Sequence, residues 1–143
     1  MLVKICGITR LEDAEAAVEA GAAALGFVFW PGSPRFIDPY RARRITGALP
    51  PFVTAVGVFV NQSVEYVTDV ARVARLAAVQ LHGDEDAAYA ARMVRPVVKA
   101  VSVGGEGSEA WPRRVMLLLD VDDPARRGGT GRTIDWSAAA TIA

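Results

Sequence analysis

The sequence predicts an α/β domain built around a parallel β-sheet, and three observations predict it. Short apolar segments alternate with longer amphipathic ones along the chain. The short segments are almost continuously apolar, as strands buried on both faces are. The longer ones carry residues that start and stop helices. With 143 residues, 52% of them apolar, the chain is sized for one domain with a substantial core.

Strands are expected at residues 3–6, 24–29, 54–60, 77–81, 97–101 and 115–120, each rich in β-branched or other apolar side chains and bounded by Gly, Pro or polar residues. Thr9-Arg10-Leu11-Glu12 matches a capping box for the first helix, and Gly21 is placed to end it. Asp38-Pro39 supplies an N-cap and a proline at the first position of the second helix. Ser63 can cap the third, whose Val64, Val67, Val70, Ala71 and Ala74 form one apolar stripe. Asp84 precedes an alanine-rich fourth helix that runs to about Val94. Residues 104–111 are glycine-rich and suit a turn or two, and a last helix begins near Asp135. This βα alternation, without an antiparallel signal, fits an open doubly wound sheet and a closed barrel equally well.

Composition narrows the function. Sixteen basic residues balance sixteen acidic ones, so no net field draws the chain to nucleic acid. The basic groups Arg41, Arg43, Arg44 and Arg126, Arg127 are small and read as solvated surface. One cysteine excludes an intrachain disulfide and a cysteine metal cluster, and one histidine excludes a histidine-rich site. Chemistry without metal or cofactor is expected. No apolar run is long enough for a bilayer span, and the N-terminus opens on a strand-like run instead of a secretion signal. A cytoplasmic protein with a small-molecule ligand, and no membrane or nucleic-acid partner, follows as the expectation.

Both architectures bind ligands at the carboxyl ends of their strands. Cys6-Gly7, Trp30 to Arg35, Asn61, His82-Gly83 and Asp120 fall there. A lone cysteine usually fills core space as a small hydrophobe, but Cys6 stands at a strand mouth before a glycine and a helix start, where a thiolate can act as base or nucleophile. Asp120 could be a solvated residue or a helix cap. An apolar mouth would instead disfavour its charge and leave it fit to donate a proton. Arg35 is either a surface charge or a planar fork for a carboxylate or phosphate. His82 is either a satisfied structural histidine or a substrate contact. Gly128-Gly129-Thr130-Gly131 looks like a phosphate-cradling loop, although it lacks the lysine of a Walker loop and the full dinucleotide fingerprint.

The ordered set is far more specific than any member of it. Lys4-Ile5-Cys6-Gly7-Ile8-Thr9, Gly26-Phe27-Val28-Phe29, Ser33-Pro34-Arg35, Val56-Gly57-Val58-Phe59-Val60-Asn61, Gln80-Leu81-His82-Gly83, Leu118-Leu119-Asp120, Gly128-Gly129-Thr130-Gly131 and Ile134-Asp135-Trp136 together resemble the phosphoribosylanthranilate isomerase family of tryptophan biosynthesis. The resemblance implies a (β/α)8 TIM barrel and an Amadori rearrangement of N-(5-phosphoribosyl)anthranilate to the 1-deoxyribulose 5-phosphate derivative. It implies Asp120 as general acid on the furanose ring oxygen and Cys6 as general base at C2. By the same resemblance Arg35 meets the anthranilate carboxylate, His82 lines the pocket, and the loop bearing Gly129 shapes it. No cofactor is implied, because the substrate nitrogen serves as electron sink.

A complete barrel of this kind typically needs ~200 residues or more. The chain is therefore expected to be a single barrel domain over residues 1–143, incomplete at its C-terminal side and covering about six of eight βα units. Exposed barrel edges would favour self-association or complementation by another chain. A catalytically inactive remnant or assembly partner is the alternative reading, and an open doubly wound binding domain is a third.

Overall fold

A computed structural model describes residues 1–102 and 111–120, together with Ser137. Its elements run β1 (Lys4–Cys6), α1 (Leu11–Glu19), β2 (Ala24–Val28), α2 (Pro39–Thr46), β3 (Thr54–Phe59), α3 (Val64–Val73), β4 (Ala78–Leu81), α4 (Ala87–Ala91), β5 (Val97–Ser102) and β6 (Met116–Asp120). Every strand pairs in parallel with the next, in the order β1-β2-β3-β4-β5-β6. A doubly wound sheet reverses its strand order at a switch point. Here the order never reverses, which decides between the two architectures that periodicity left open: these are consecutive units of a (β/α)8 barrel.

Side chains alternate across such a sheet. Leu25, Phe27, Ala55, Phe59, Val79, Leu81 and Val97 pack outward into one core with Ala14, Ala17, Ala42, Ile45, Val67, Val70 and Ala71 of the helices. The Phe29 and Phe59 rings stack there, with centroids 5.4 Å apart. Gly57 lets that layer close, because a Cβ on it would collide with Leu76 and lie 2.7 Å from the Phe59 ring. The intervening positions, Cys6, Gly26, Val28, Val56, Val58, Gln80 and Asp120 among them, belong to the opposite face.

Most helix ends follow their local chemistry. The Asp38 carboxylate accepts from Tyr40 and Arg41 amides with Pro39 opening α2, and the Ser63 hydroxyl accepts from the Tyr66 amide. Gly21, at φ +90°, ends α1 as its amide bonds Val18 and the Ala22 amide bonds Ala17. Two expectations fail. The capping box at Thr9 does not form: Arg10 is the N-cap, without a side-chain capping bond, and its Nε lies 3.6 Å from carboxylates of both Glu12 and Asp13. Glu12 is thereby drawn to a guanidinium instead of reaching back to a backbone amide. The fourth helix does follow Asp84, with Asp86 as its N-cap, but it ends at Ala91, short of the expected Val94. Asp84 is held by Asn61, and the chain must turn before Pro96 to enter β5. The glycine loop with Gly129, the helix expected near Asp135 and nearly all of the segment 104–111 lie outside the described residues.

Candidate active site

The sheet register sets which strand ends meet. Cys6 is the last residue of β1 and pairs with Gly26, while Asp120 is the last of β6 and pairs with Ser102. The Cys6 thiol is free and half-buried. Gly26 makes room for it, since a Cβ there would lie 2.7 Å from the sulfur. Just beyond, Gly7 adopts φ +91°, and the amides of Gly7 and Ile8 both donate to the Gly26 carbonyl at 2.9 and 3.0 Å. That turn carries the chain off the sheet, so Gly7 to Arg10 separate the thiol from the first turn of α1.

Arg35 crosses this turn. Its Nη1 donates to the Cys6 carbonyl at 3.3 Å, and a Cβ on Gly7 would collide with its side chain. A positive φ and a close neighbour thus require glycine at position 7. The result is a guanidinium held at the Cys6 backbone carbonyl, contributed from a loop far along the chain.

His82 and Asp120 also meet. His82 Nε2 lies 3.0 Å from Asp120 Oδ2, and its Nδ1 lies 2.9 Å from Gln80 Nε2. Burial lowers the His82 pKa from its ordinary value of 6.5; the Asp120 charge and hydrogen bond push the other way, and Lys99 and Lys4 add to the lowering. The ring is therefore neutral near pH 7. A neutral imidazole accepting from the Gln80 amide at Nδ1 donates its Nε2 hydrogen to Asp120. The aspartate was expected between apolar walls; its carboxylate instead has a polar partner, and its side chain is 32% exposed.

Behind these groups, a buried ion pair locks the loops that follow β3 and β4. Lys99 Nζ donates to the Gly83 carbonyl at 2.5 Å and to Glu85 Oε2 at 3.1 Å. Glu85 accepts from the amides of Asn61 and Gly83 at 2.7 and 2.8 Å. Asn61 holds φ +55°, and its side chain exchanges hydrogen bonds with Asp84. The Trp111 ring centroid lies 5.8 Å from Lys99 Nζ. Gln62 ties the same loop to the segment that follows β2 by donating to the Phe29 carbonyl at 2.7 Å.

Sequence reasoning singled out Cys6, Arg35, His82 and Asp120, and the structure places all four at the carboxyl ends of the strands. Arg35 joins Cys6 and His82 joins Asp120; Gly129 lies outside the described residues. Gln80, Glu85 and Lys99 were missed. A signal existed for each: a lysine inside the apolar run 97–101, a glutamine inside the apolar run 77–81, and a carboxylate soon after His82-Gly83. Chemically, the site offers a thiol and a carboxyl group for proton transfer, with a guanidinium for an anionic substituent.

Comparison with known proteins identifies the family of the chain. The family model described as N-(5'phosphoribosyl)anthranilate (PRA) isomerase matches residues 3–143. An N-(5'-phosphoribosyl)anthranilate isomerase of Hahella chejuensis is 50% identical over 139 residues, covering 94% of this chain and 65% of that protein. The crystal structure of phosphoribosyl anthranilate isomerase from Thermus thermophilus superposes with a TM-score of 0.88 at 44% identity, over 99% of this chain and 71% of that one. A further solved isomerase, 49% identical with a TM-score of 0.78 over 86% of this chain and 66% of its own, is in complex with reduced 1-(o-carboxyphenylamino)-1-deoxyribulose 5-phosphate. The chain spans about two thirds of the length of the curated relatives it matches. With this match over nearly every residue, on a sheet of the same architecture, the chain belongs to the N-(5'-phosphoribosyl)anthranilate isomerase family.

Proposed function

We propose that this chain carries the isomerase chemistry of its family: N-(5-phosphoribosyl)anthranilate is converted to 1-(2-carboxyphenylamino)-1-deoxyribulose 5-phosphate. Asp120 gives a proton to the furanose ring oxygen as the C1–O bond breaks, and the aniline nitrogen supplies the electron pair that forms the Schiff base. Cys6, as thiolate, then removes the C2 proton, and the electrons flow to nitrogen to give an enolamine that tautomerises to the ketone. Arg35 holds the anthranilate carboxylate, His82 contacts Asp120 and the substrate, and the loop bearing Gly129 shapes the pocket. No redox partner enters this balance, since C1 is reduced as C2 is oxidised. A cytoplasmic setting goes with it, because a reducing compartment keeps the Cys6 thiol free to serve as base.

The observation that carries this reading is the placement of Cys6 with Arg35, and of Asp120 with His82, at the same end of the outermost strands of one parallel sheet. Substrate fluorescence tests it directly. Cys6→Ala and Asp120→Asn should each lower kcat by ~100–10,000-fold, with the fold retained by circular dichroism. Arg35→Met should act mainly on KM. Near wild-type turnover in either of the first two variants would end the assignment of acid and base.

A further inference from the structure

Gln80 is 2% exposed and lies two residues before His82, on the same face of β4. Its partners across the sheet are Val58 and Val98, so its strand neighbours give a polar amide no partner. Gln80 Nε2 reaches His82 Nδ1 at 2.9 Å, while Gln80 Oε1 is buried without a hydrogen-bond partner among the described residues. The nitrogen is the working end of this amide. A primary amide nitrogen only donates, so Nδ1 accepts and the ring hydrogen resides on Nε2, 3.0 Å from Asp120.

We propose that Gln80 is a positioning residue acting through His82: its amide fixes the Nε2–H tautomer of a neutral imidazole and aims that hydrogen at Asp120. The proposal deepens the isomerase reading and rests on Asp120 as its acid. Its use follows from charge. An imidazolium 3.0 Å away would hold Asp120 as a carboxylate. A neutral donor orients the carboxyl group and leaves it able to carry the proton that ring opening needs. The charges of Lys99 on β5 and Lys4 on β1 oppose a second positive charge on the ring, Asp120 favours one, and Glu85 in the following loop is engaged by Lys99. The Gln80 bond adds a contact that exists only while Nδ1 is unprotonated.

His82 is the only histidine, so ring nitrogen–proton correlation spectra of the nitrogen-15-labelled chain report on it alone. The wild type should show a protonated Nε2 and a bare Nδ1 near neutral pH. Gln80→Glu keeps the shape but offers an acceptor; it should protonate both nitrogens and lower kcat by about tenfold or more with KM little changed. The remaining activity should shift toward acid pH. Gln80→Met should give mixed tautomers. A wild-type ring protonated at Nδ1 would overturn the proposal, as would a Gln80→Glu variant with a neutral ring and an unshifted pH profile. Lost activity with unchanged ring signals would make Gln80 merely structural and overturn it as well. Should the wild type lack turnover, the isomerase reading fails while the ring signals still decide the tautomer. Should Gln80→Met not fold, the wild-type ring and the Glu variant decide.

Discussion

Gly26→Ala isolates the positioning of the proposed base from the stability of the fold. Cys6 and Gly26 are register partners, and a methyl group on Gly26 would stand 2.7 Å from the Cys6 sulfur, 3.2 Å from its Cα and 3.3 Å from its Cβ. Carbon contacts relax near ~3.5–4.0 Å, so the thiol must retreat by roughly 1 Å. Rotation about χ1 relieves the sulfur but not the Cα, and β1 must shift as well. Overpacking of this kind costs about 1–3 kcal/mol, whereas a displacement of ~1 Å at a reacting group can cost about 100-fold in turnover. Gly57→Ala is the matched control, because its methyl group meets Leu76 and Phe59 on the helix-facing side. Both variants should lose several degrees of Tm, at roughly 2–8 °C per kcal/mol. At a temperature where both are folded, Gly26→Ala should lose about two orders of magnitude in kcat and alter the alkylation rate of Cys6. Gly57→Ala should stay near wild type in both. Equal kcat losses in the two variants, or wild-type kcat and alkylation in Gly26→Ala, would refute the reasoning.

Two further outcomes follow from the buried polar groups. Lys99→Met strands the Glu85 carboxylate, whose side chain is 2% exposed, and should destabilise the fold by about 3–5 kcal/mol in urea unfolding; adding Glu85→Gln should restore part of the loss. His82 has a folded pKa depressed below 6.5, so the unfolded chain takes up its proton first as pH falls. Its contribution to stability is complete above the unfolded value and is lost as pH drops toward the folded one, at no more than about 1.4 kcal/mol per pH unit. Thermal unfolding between neutral and mildly acid pH should show that slope in the wild type and lose it in His82→Asn. A wild type that gains stability on acidification through this window would contradict the neutral ring.

The strands were legible because a sheet covered on both faces leaves only apolar choices, and each reading fell within a residue or two of the structure. Barrel against open sheet was not legible from periodicity, since strand order is a property of crossovers and leaves no trace in a single segment. Residues that stand out by position alone announced themselves: Cys6 at a strand mouth, Asp120 after three leucines. Those that act through a partner did not. Lys99 sits inside an apolar strand, but the carboxylate it pairs with belongs to a different loop. Asp84 does precede the fourth helix, but only the left-handed Asn61 across the site shows where its side chain is bonded, and Asp86 supplies the cap. The Thr9 motif failed for a related reason, as Arg10 competes for the carboxylate that the capping box requires.

The unbroken strand order also has a consequence for how the protein is made. Each strand docks on the one synthesised just before it, so every pairing closes a loop of modest length and the sheet can be laid down in step with translation. The thiol lies on β1 and the aspartate on β6, with four strands between them. A nascent chain therefore exposes Cys6 well before Asp120 is made, and the two strand ends share one sheet only when β6 seats against β5.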